Sequence, residues 1–191
     1  MYKYLSRNAY FKAARLLGIN VDGNKIFFEF EDEASYVIDF AINDIKIRGK
    51  TPVETYQKNN NAENKIEKQI LQALTQSYTS LFSIIGMDYK KHTVMLHDVL
   101  NNSNIEITDY HLSKTINKNT LLFCRIVCLN DFNMTSGIAF VFAAELKEYL
   151  LSTYERMKKE NNMQPDNIVR FVSFFRLNRT DGYDIVYIDP P

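Results

Sequence analysis

Three histidines that fall within twenty positions of one another are the residues best suited to chemistry. His92, His97 and His111 are the only histidines in the 191-residue chain, and Asp98 and Asp109 lie close to two of them. Imidazole and carboxylate groups build metal sites and acid–base pairs. Because their spacing matches no metal-ligand pattern, surface or hydrogen-bonded histidines are the favoured interpretation, and we predict no metal and no cofactor.

Arg125 interrupts the otherwise apolar run from Leu121 to Leu129. A buried guanidinium needs a carboxylate or another anion beside it, because an unpaired charge is costly to remove from water. We expect Asp98 or Asp109 to be its partner in a structural ion pair, with anion binding as the alternative. The candidate binding residues are therefore Arg125, His97, Asp98, Asp109 and His111.

The same run contains the only two cysteines, Cys124 and Cys128, four positions apart. That spacing on one strand is poor for a disulfide between them, so we predict two free thiols on one buried face. No apolar stretch is long enough to span a bilayer, and residues 1–17 lack the apolar core of a signal peptide. The expectation is a cytoplasmic protein with no membrane partner.

The composition indicates a folded globular protein. Hydrophobic residues make up 46% of the chain and aromatic residues 13%, which argues against disorder. Lysine plus arginine and aspartate plus glutamate each number 23, so the net charge is zero. Nucleic-acid-binding domains usually carry a basic excess, so a nucleic-acid partner is not favoured.

Five short runs of apolar and β-branched residues, separated by polar turns, lie between residues 77 and 142. Connections this short predict antiparallel pairing, and closure into a small barrel-like sheet would remove the exposed edges. We predict that Phe82, Leu122, Ile126 and Phe140 are buried in this part. Gly137 is expected to mark a bulge.

Helical patterns flank these strands, so the predicted fold class is α+β. Residues 1–76 form a mainly helical part, in which Thr51-Pro52-Val53-Glu54 is a capping box. Residues 143–191 form a second helical part with a terminal strand at 183–188. The run from Ile168 to Leu177 is apolar nearly all round, so a strand over Val169 to Phe175 is an alternative to a helix. The parts 1–76, 77–142 and 143–191 are expected to make one compact unit over 1–191.

Several short strings, taken together, carry a resemblance to known proteins. They are Glu31-Asp32-Glu33 with Asp39-Phe40, Ser80-Leu81-Phe82, Asp98-Val99-Leu100, Leu112-Ser113-Lys114-Thr115, Leu121 to Val127, and Met134-Thr135-Ser136-Gly137. The chain resembles a family of uncharacterised bacterial proteins whose small β domain is similar to one found beside SEC-C zinc motifs. The resemblance covers residues 25–142 and implies no activity. The chain has no cysteine-rich SEC-C segment, so zinc is not implied.

Three functions are compatible with these observations. The preferred one is a non-catalytic interaction or regulatory module with a protein partner or with self-association. A small-barrel protein that binds nucleic acid is the first alternative, although fold analogy is weak support. An enzyme with a site near Arg125, His97 and Asp109 is the second.

Overall fold

The computed structural model describes residues 6–59, 62 and 64–183. The chain divides into two compact units, Met1–Ser77 and Tyr78–Pro191, which we call the N-terminal unit and the C-terminal unit. The expectation that residues 1–191 behave as one compact unit stays a prediction. No helix among the residues that the structure covers is both long and apolar enough to cross a membrane.

The described part of the N-terminal unit contains four helices and a two-stranded hairpin. They are α1 (Arg7–Leu17), β1 (Asn20–Asp22), β2 (Lys25–Phe27), α2 (Glu33–Asn43), α3 (Pro52–Asn59) and α4 (Lys65–Thr75). Ser6 caps α1 by accepting a hydrogen bond from the backbone N–H of Ala9, and Gly18 ends it in the left-handed conformation that glycine adopts at little cost.

The predicted capping box is confirmed at the start of α3. The backbone N–H of Thr51 donates to Oε2 of Glu54 at 2.7 Å, and the backbone N–H of Glu54 donates to Oγ1 of Thr51 at 3.3 Å. Pro52 occupies the first helical position, where its missing N–H costs nothing. Both hydrogen bonds lie within four consecutive residues, so the sequence alone was enough to predict where the helix starts.

The described part of the C-terminal unit is a five-stranded antiparallel sheet with three α-helices, which confirms the α+β class. The elements are β3 (Tyr78–Asp88), β4 (Thr93–Asp98), β5 (Ser103–Thr108), α5 (Tyr110–Thr115), β6 (Thr120–Cys128), β7 (Asn133–Ala143), α6 (Lys147–Glu160) and α7 (Asp166–Asp181). The strand order is β5-β4-β3-β6-β7. A short 3-10 turn, Ala144–Leu146, leads from β7 into α6.

The described strands do not form a closed barrel, because no backbone ladder joins the edge strands β5 and β7. The two edges do meet at one corner, where Nδ2 of Asn133 donates to the backbone oxygen of Glu106 at 2.9 Å. The sequence pattern indicated the number of strands, but closure depends on the curl of the sheet, which the pattern does not encode.

Both faces of the sheet bury apolar side chains. One face carries a cluster made of Phe82, Ile84, Val94, Leu96, Ile107, Leu122, Cys124 and Ile126. Phe140 lies on the opposite face, where its ring stacks on Phe123 with 5.4 Å between centroids. The four side chains predicted to be buried are all 0% exposed, which confirms them.

Gly137 marks a bulge, as predicted. In the pairing of β6 with β7, Cys124 faces Ala139 and Ile126 faces Thr135, so residues 136–138 lie opposite Arg125 alone. Gly137 has a φ of 96°, a conformation that L side chains rarely adopt. A second irregularity lies in β3 between Ile84 and Gly86.

The ambiguous apolar run is helical: it lies within α7, and the strand alternative is wrong. Phe174 stacks on Phe123 with 4.5 Å between ring centroids, and Phe171 meets the same ring edge-on at 6.1 Å.

The terminal strand predicted at 183–188 lies outside the described residues except for Tyr183, whose N–H donates to the backbone oxygen of Val141 at 2.8 Å.

Candidate functional site

Arg125 and Asp98 lie on opposite faces of the sheet. Arg125 pairs with Thr79 on β3, whereas Asp98 pairs with Phe82, three positions further along the same strand. Because side chains alternate between faces along a strand, an odd separation places these two on opposite sides. The predicted Arg125–Asp98 ion pair is therefore wrong, although Arg125 is buried at 1% exposure as expected.

Asp98 is held by hydrogen-bond donors instead. Oδ1 of this fully buried carboxylate accepts from Oγ of Ser80 at 2.5 Å and from the backbone N–H groups of Leu100 and Asn101 at 3.1 and 3.0 Å. Oδ2 accepts from Nδ2 of Asn101 at 2.8 Å. Asp98 thus ties the start of β3 to the turn between β4 and β5.

Asp109 has a local structural role as well. Its Oδ1 accepts from the backbone N–H of Leu112 at 2.8 Å, which caps the N-terminus of α5, a helix that the sequence interpretation missed. Leu112 and Ile116 pack against the apolar cluster, so α5 covers the face of the sheet opposite Arg125. The alternative ion pair between Asp109 and Arg125 is wrong for this reason.

The histidines separate into two groups. His97 lies on the outward side of β4, with Nδ1 2.8 Å from Oδ1 of Asn104 on β5. The rings of His92 and His111 both lie near that of Tyr110, with centroids 4.7 and 5.3 Å away. No group of three or more metal-ligating side chains occurs among the residues in the described ranges.

A small hollow lies beside α5 and includes two of the predicted site residues. Asp109, His111 and Leu112 form one side, and Thr135 and Ile138 of β7 are on the other. Its volume of about 160 Å³ is below the 300–1,000 Å³ typical of ligand pockets. The hollow has room for one small group, such as a side chain of a larger partner.

The outward side of β4 and β5 carries half-buried and exposed side chains. It consists of the cross-strand pairs Thr93–Thr108, Met95–Glu106 and His97–Asn104. Five large side chains with 39–57% exposure lie on segments that pair with, follow or hydrogen-bond to these strands: Ile85, Tyr89, Tyr110, Phe132 and Met134. We call these eleven residues together the β4–β5 face.

The five large side chains lie on segments next to β4 and β5, either in the sheet or along the chain. Ile85 is the bulge residue beside Gly86, which pairs with Met95, and Tyr89 follows the end of β3. Phe132 and Met134 flank Asn133, which is hydrogen-bonded to β5. Tyr89 and Phe132 were missed as site residues because both lie in turns, and a large aromatic residue in a polar turn is the signal that could have found them.

The charges around the β4–β5 face are mixed. The lysines of the face and its flanking elements are Lys90, Lys91 and Lys114, and the exposed or half-buried carboxylates there are Asp88, Glu106, Asp109 and Asp131. One pair is in contact, with Lys91 Nζ 3.9 Å from Asp88. The face therefore presents aromatic and apolar groups without a basic excess.

Tyr78 and Cys128 lie at the end of the apolar cluster, and burial affects both ionisable groups. Burial, followed by the negative charge of Asp98, raises the pKa of Tyr78 to about 12. Partial removal of the Cys128 thiol from solvent raises its pKa too, although the residue as a whole is exposed. Both cysteines are free thiols as predicted, but only Cys124 is buried, so the prediction of a shared buried face is wrong for Cys128. Cys128 is the last residue of β6 and is exposed at this end of the strand.

Comparison with known proteins gives one finding. The model of a family of unknown function, DUF7986, matches residues 1–188. No curated protein matches the chain, and no solved structure matches it.

Proposed function

Since the chain belongs to the DUF7986 family, whose function is unknown, we propose its role from its own geometry: it is a non-catalytic module that binds a protein partner through the β4–β5 face. The observation that carries this proposal is the exposure of five large side chains on segments adjoining β4 and β5: Ile85, Tyr89, Tyr110, Phe132 and Met134. Exposed apolar groups gathered in one place mark interaction surfaces more often than scattered ones do.

The residue types favour a protein as the partner. The cores of protein interfaces are enriched in tyrosine, phenylalanine and methionine and depleted in charge, and the β4–β5 face has this character. The polar side chains of β4 and β5 in this face, such as His97 and Asn104, can hydrogen-bond to backbone groups of a partner. The hollow beside Asp109 and His111 would receive one protruding side chain.

An enzyme site formed by Arg125, His97 and Asp109 is less well supported. Their strand partners on β3, Thr79 for Arg125 and Ser83 for His97, are four residues apart, or roughly 13 Å along the strand. Asp109 caps a helix on the other face of the sheet. The three side chains do not converge on a common point where a substrate could react.

Single-stranded nucleic acid is the second candidate, and the topology favours it. The five strands, with α5 between the third and fourth of them, suggest a partly open barrel of the OB type, in which loops and two strands form the binding face. Tyr89 and Phe132 would then be platforms for stacked bases. The mixed charge around the face argues against this candidate, because phosphate contacts dominate nucleic-acid affinity.

The proposal is tested by comparing three full-length proteins: wild type, Tyr89→Ala/Phe132→Ala, and Tyr149→Ala. Tyr149 is a matched control on α6, 48% exposed and remote in sequence from the face. Each is used to capture proteins from an extract of the native host, and the captured protein is then purified for affinity measurements. We expect the double variant to bind it about tenfold or more weakly, because buried aromatic residues dominate interface energies, and the control to bind it normally.

Two results would contradict binding of a protein through this face, and a third would identify the protein as a second copy of the chain. Equal affinity of wild type and double variant for the captured protein would show that this protein does not bind through the β4–β5 face. Binding of a labelled single-stranded oligonucleotide that the double variant loses, with no protein captured specifically, would assign the face to nucleic acid. A dimer in sedimentation experiments that dissociates in the double variant would identify a second copy of the chain as the occupant.

A further inference from the structure

A second surface, in the N-terminal unit, has the composition of an anion site. Arg7, Phe11 and Arg15 are spaced four apart on α1, so they form one row along the helix, and Lys12 lies next to that row. The buried side of α1 consists of Ala9, Ala13, Ala14 and Leu17. The helix therefore packs through small apolar residues and presents its cations outward.

The row borders a cleft of about 550 Å³. Its wall opposite α1 comes from Gly23 and Asn24 in the turn between β1 and β2, and from Ile47. Gly23 has a φ of 54°, which suits the tight turn that brings this wall into place. The volume lies within the 300–1,000 Å³ of small-molecule sites, unlike the hollow beside α5.

The two arginines are held by the ring between them. The guanidinium carbon of Arg7 lies 5.4 Å from the centroid of Phe11, and that of Arg15 lies 5.9 Å from it. Cation–π contacts at this distance restrict long side chains that would otherwise sample many rotamers. The donors are thereby partly ordered before any ligand arrives, which lowers the entropic cost of binding.

Among the described residues, no carboxylate forms an ion pair with the cations of the cleft. None of the residues lining the cleft is acidic, and no ion pair joins Arg7, Lys12 or Arg15 to a described carboxylate. Three like charges around one cavity repel each other, so an anion that binds there relieves the repulsion and gains charge-assisted hydrogen bonds.

We propose that this cleft binds a small organic diphosphate. One phosphoryl group carries a charge of about −1.5 to −2, so two linked groups match three cations better than one does. Phe11 and Ile47 supply an apolar surface, and the amides of Asn8 and Asn24 can hydrogen-bond a polar organic part. The size of the cleft favours a small molecule over an extended nucleic acid. The proposal is independent of the β4–β5 face.

Calorimetric titration of the full-length chain tests the proposal with three probes: inorganic pyrophosphate, a nucleoside diphosphate and a single-stranded oligonucleotide. The variants are Arg7→Gln, Arg15→Gln and the control Lys68→Gln, which removes one exposed charge from α4 in the same unit. We expect saturable one-to-one binding of the nucleoside diphosphate, tighter than that of pyrophosphate. Each arginine variant should weaken it about tenfold or more, and the control should change it less than about twofold.

Several outcomes would overturn the proposal. Equal weakening by all three substitutions would show a diffuse charge effect without a site. Tighter binding of pyrophosphate than of the nucleoside diphosphate would show that an organic part adds no affinity, and the ligand would not be an organic diphosphate. Oligonucleotide binding that is lost in the arginine variants, without binding of either small probe, would assign the cleft to nucleic acid. Absence of binding by every probe would leave the cleft without an anionic ligand.

Discussion

The buried carboxylate of Asp98 receives its stabilisation from neutral donors on Ser80, Leu100 and Asn101. We expect Asp98→Ala to destabilise the protein by about 3 kcal/mol, because the buried hydroxyl of Ser80 and two part-buried backbone N–H groups lose a charged acceptor. Asp131→Ala, at an exposed turn position, should change the free energy of unfolding by less than about 0.5 kcal/mol. Urea denaturation measures both changes, and equal effects would refute the structural role of Asp98.

The opposite-face placement of Arg125 makes a separate prediction. In a double-mutant cycle with Arg125→Met and Asp98→Asn, the coupling free energy should be below about 0.5 kcal/mol, because the two side chains share no described contact. A direct ion pair would instead give a coupling well above that value. Thermal or urea unfolding of the four proteins decides between them.

Tyr78 should make stability depend on pH in the alkaline range. Its pKa is raised from 10.0 to about 12 in the folded protein, so the folded state keeps the phenol neutral where the unfolded state ionises. The stabilisation is fully present below pH 10.0 and is lost as the pH rises towards about 12. Unfolding midpoints of wild type should therefore fall relative to those of Tyr78→Phe above pH 10.0, and parallel curves would contradict this assignment.

At the level of helices and strands, α7 shows why a sequence pattern can be ambiguous. Its apolar residues pack against both the sheet and α6. Phe174, for example, contacts the ring of Phe123 on β6 and the ring of Tyr154 on α6. No continuous polar face remains to reveal the helical period.

The capping box at Thr51 was predictable because all of its information lies within four consecutive residues. Asp109 could have been recognised by the same reasoning as the cap of α5.

Packing on α7 gives a prediction about stability. Phe174 is fully buried, and Phe174→Ala should cost about 3–5 kcal/mol because the aromatic cluster around it cannot close over the vacated volume. Phe132→Ala, at a ring that is 46% exposed, should cost far less. Chemical denaturation of the two variants provides the comparison, and similar losses would mean that α7 does not pack as described.

For the whole molecule, the fold class and the buried positions followed from local patterns, whereas the candidate site did not. Phe82 and Phe140 lie in strongly apolar strands, so their burial needed no knowledge of pairing. Whether Arg125 and Asp98 share a face depended on which residues of β3 pair with β4 and β6, and that register is fixed only by the assembled sheet. Exposure of Tyr89 and Phe132 likewise depends on where distant segments lie, which composition cannot show.

The strand order β5-β4-β3-β6-β7 also determines how fast backbone amides exchange hydrogen with solvent. Phe82 and Ser83 of β3 pair with β4 on one side and with β6 on the other, whereas the outer edge of β5 has no ladder. In deuterated buffer we expect amides in this doubly paired stretch to exchange only through global unfolding, and those of Asn104 and Glu106 through local opening. The centre of the sheet would then report the stability of the C-terminal unit, while its edge reports motions at the β4–β5 face.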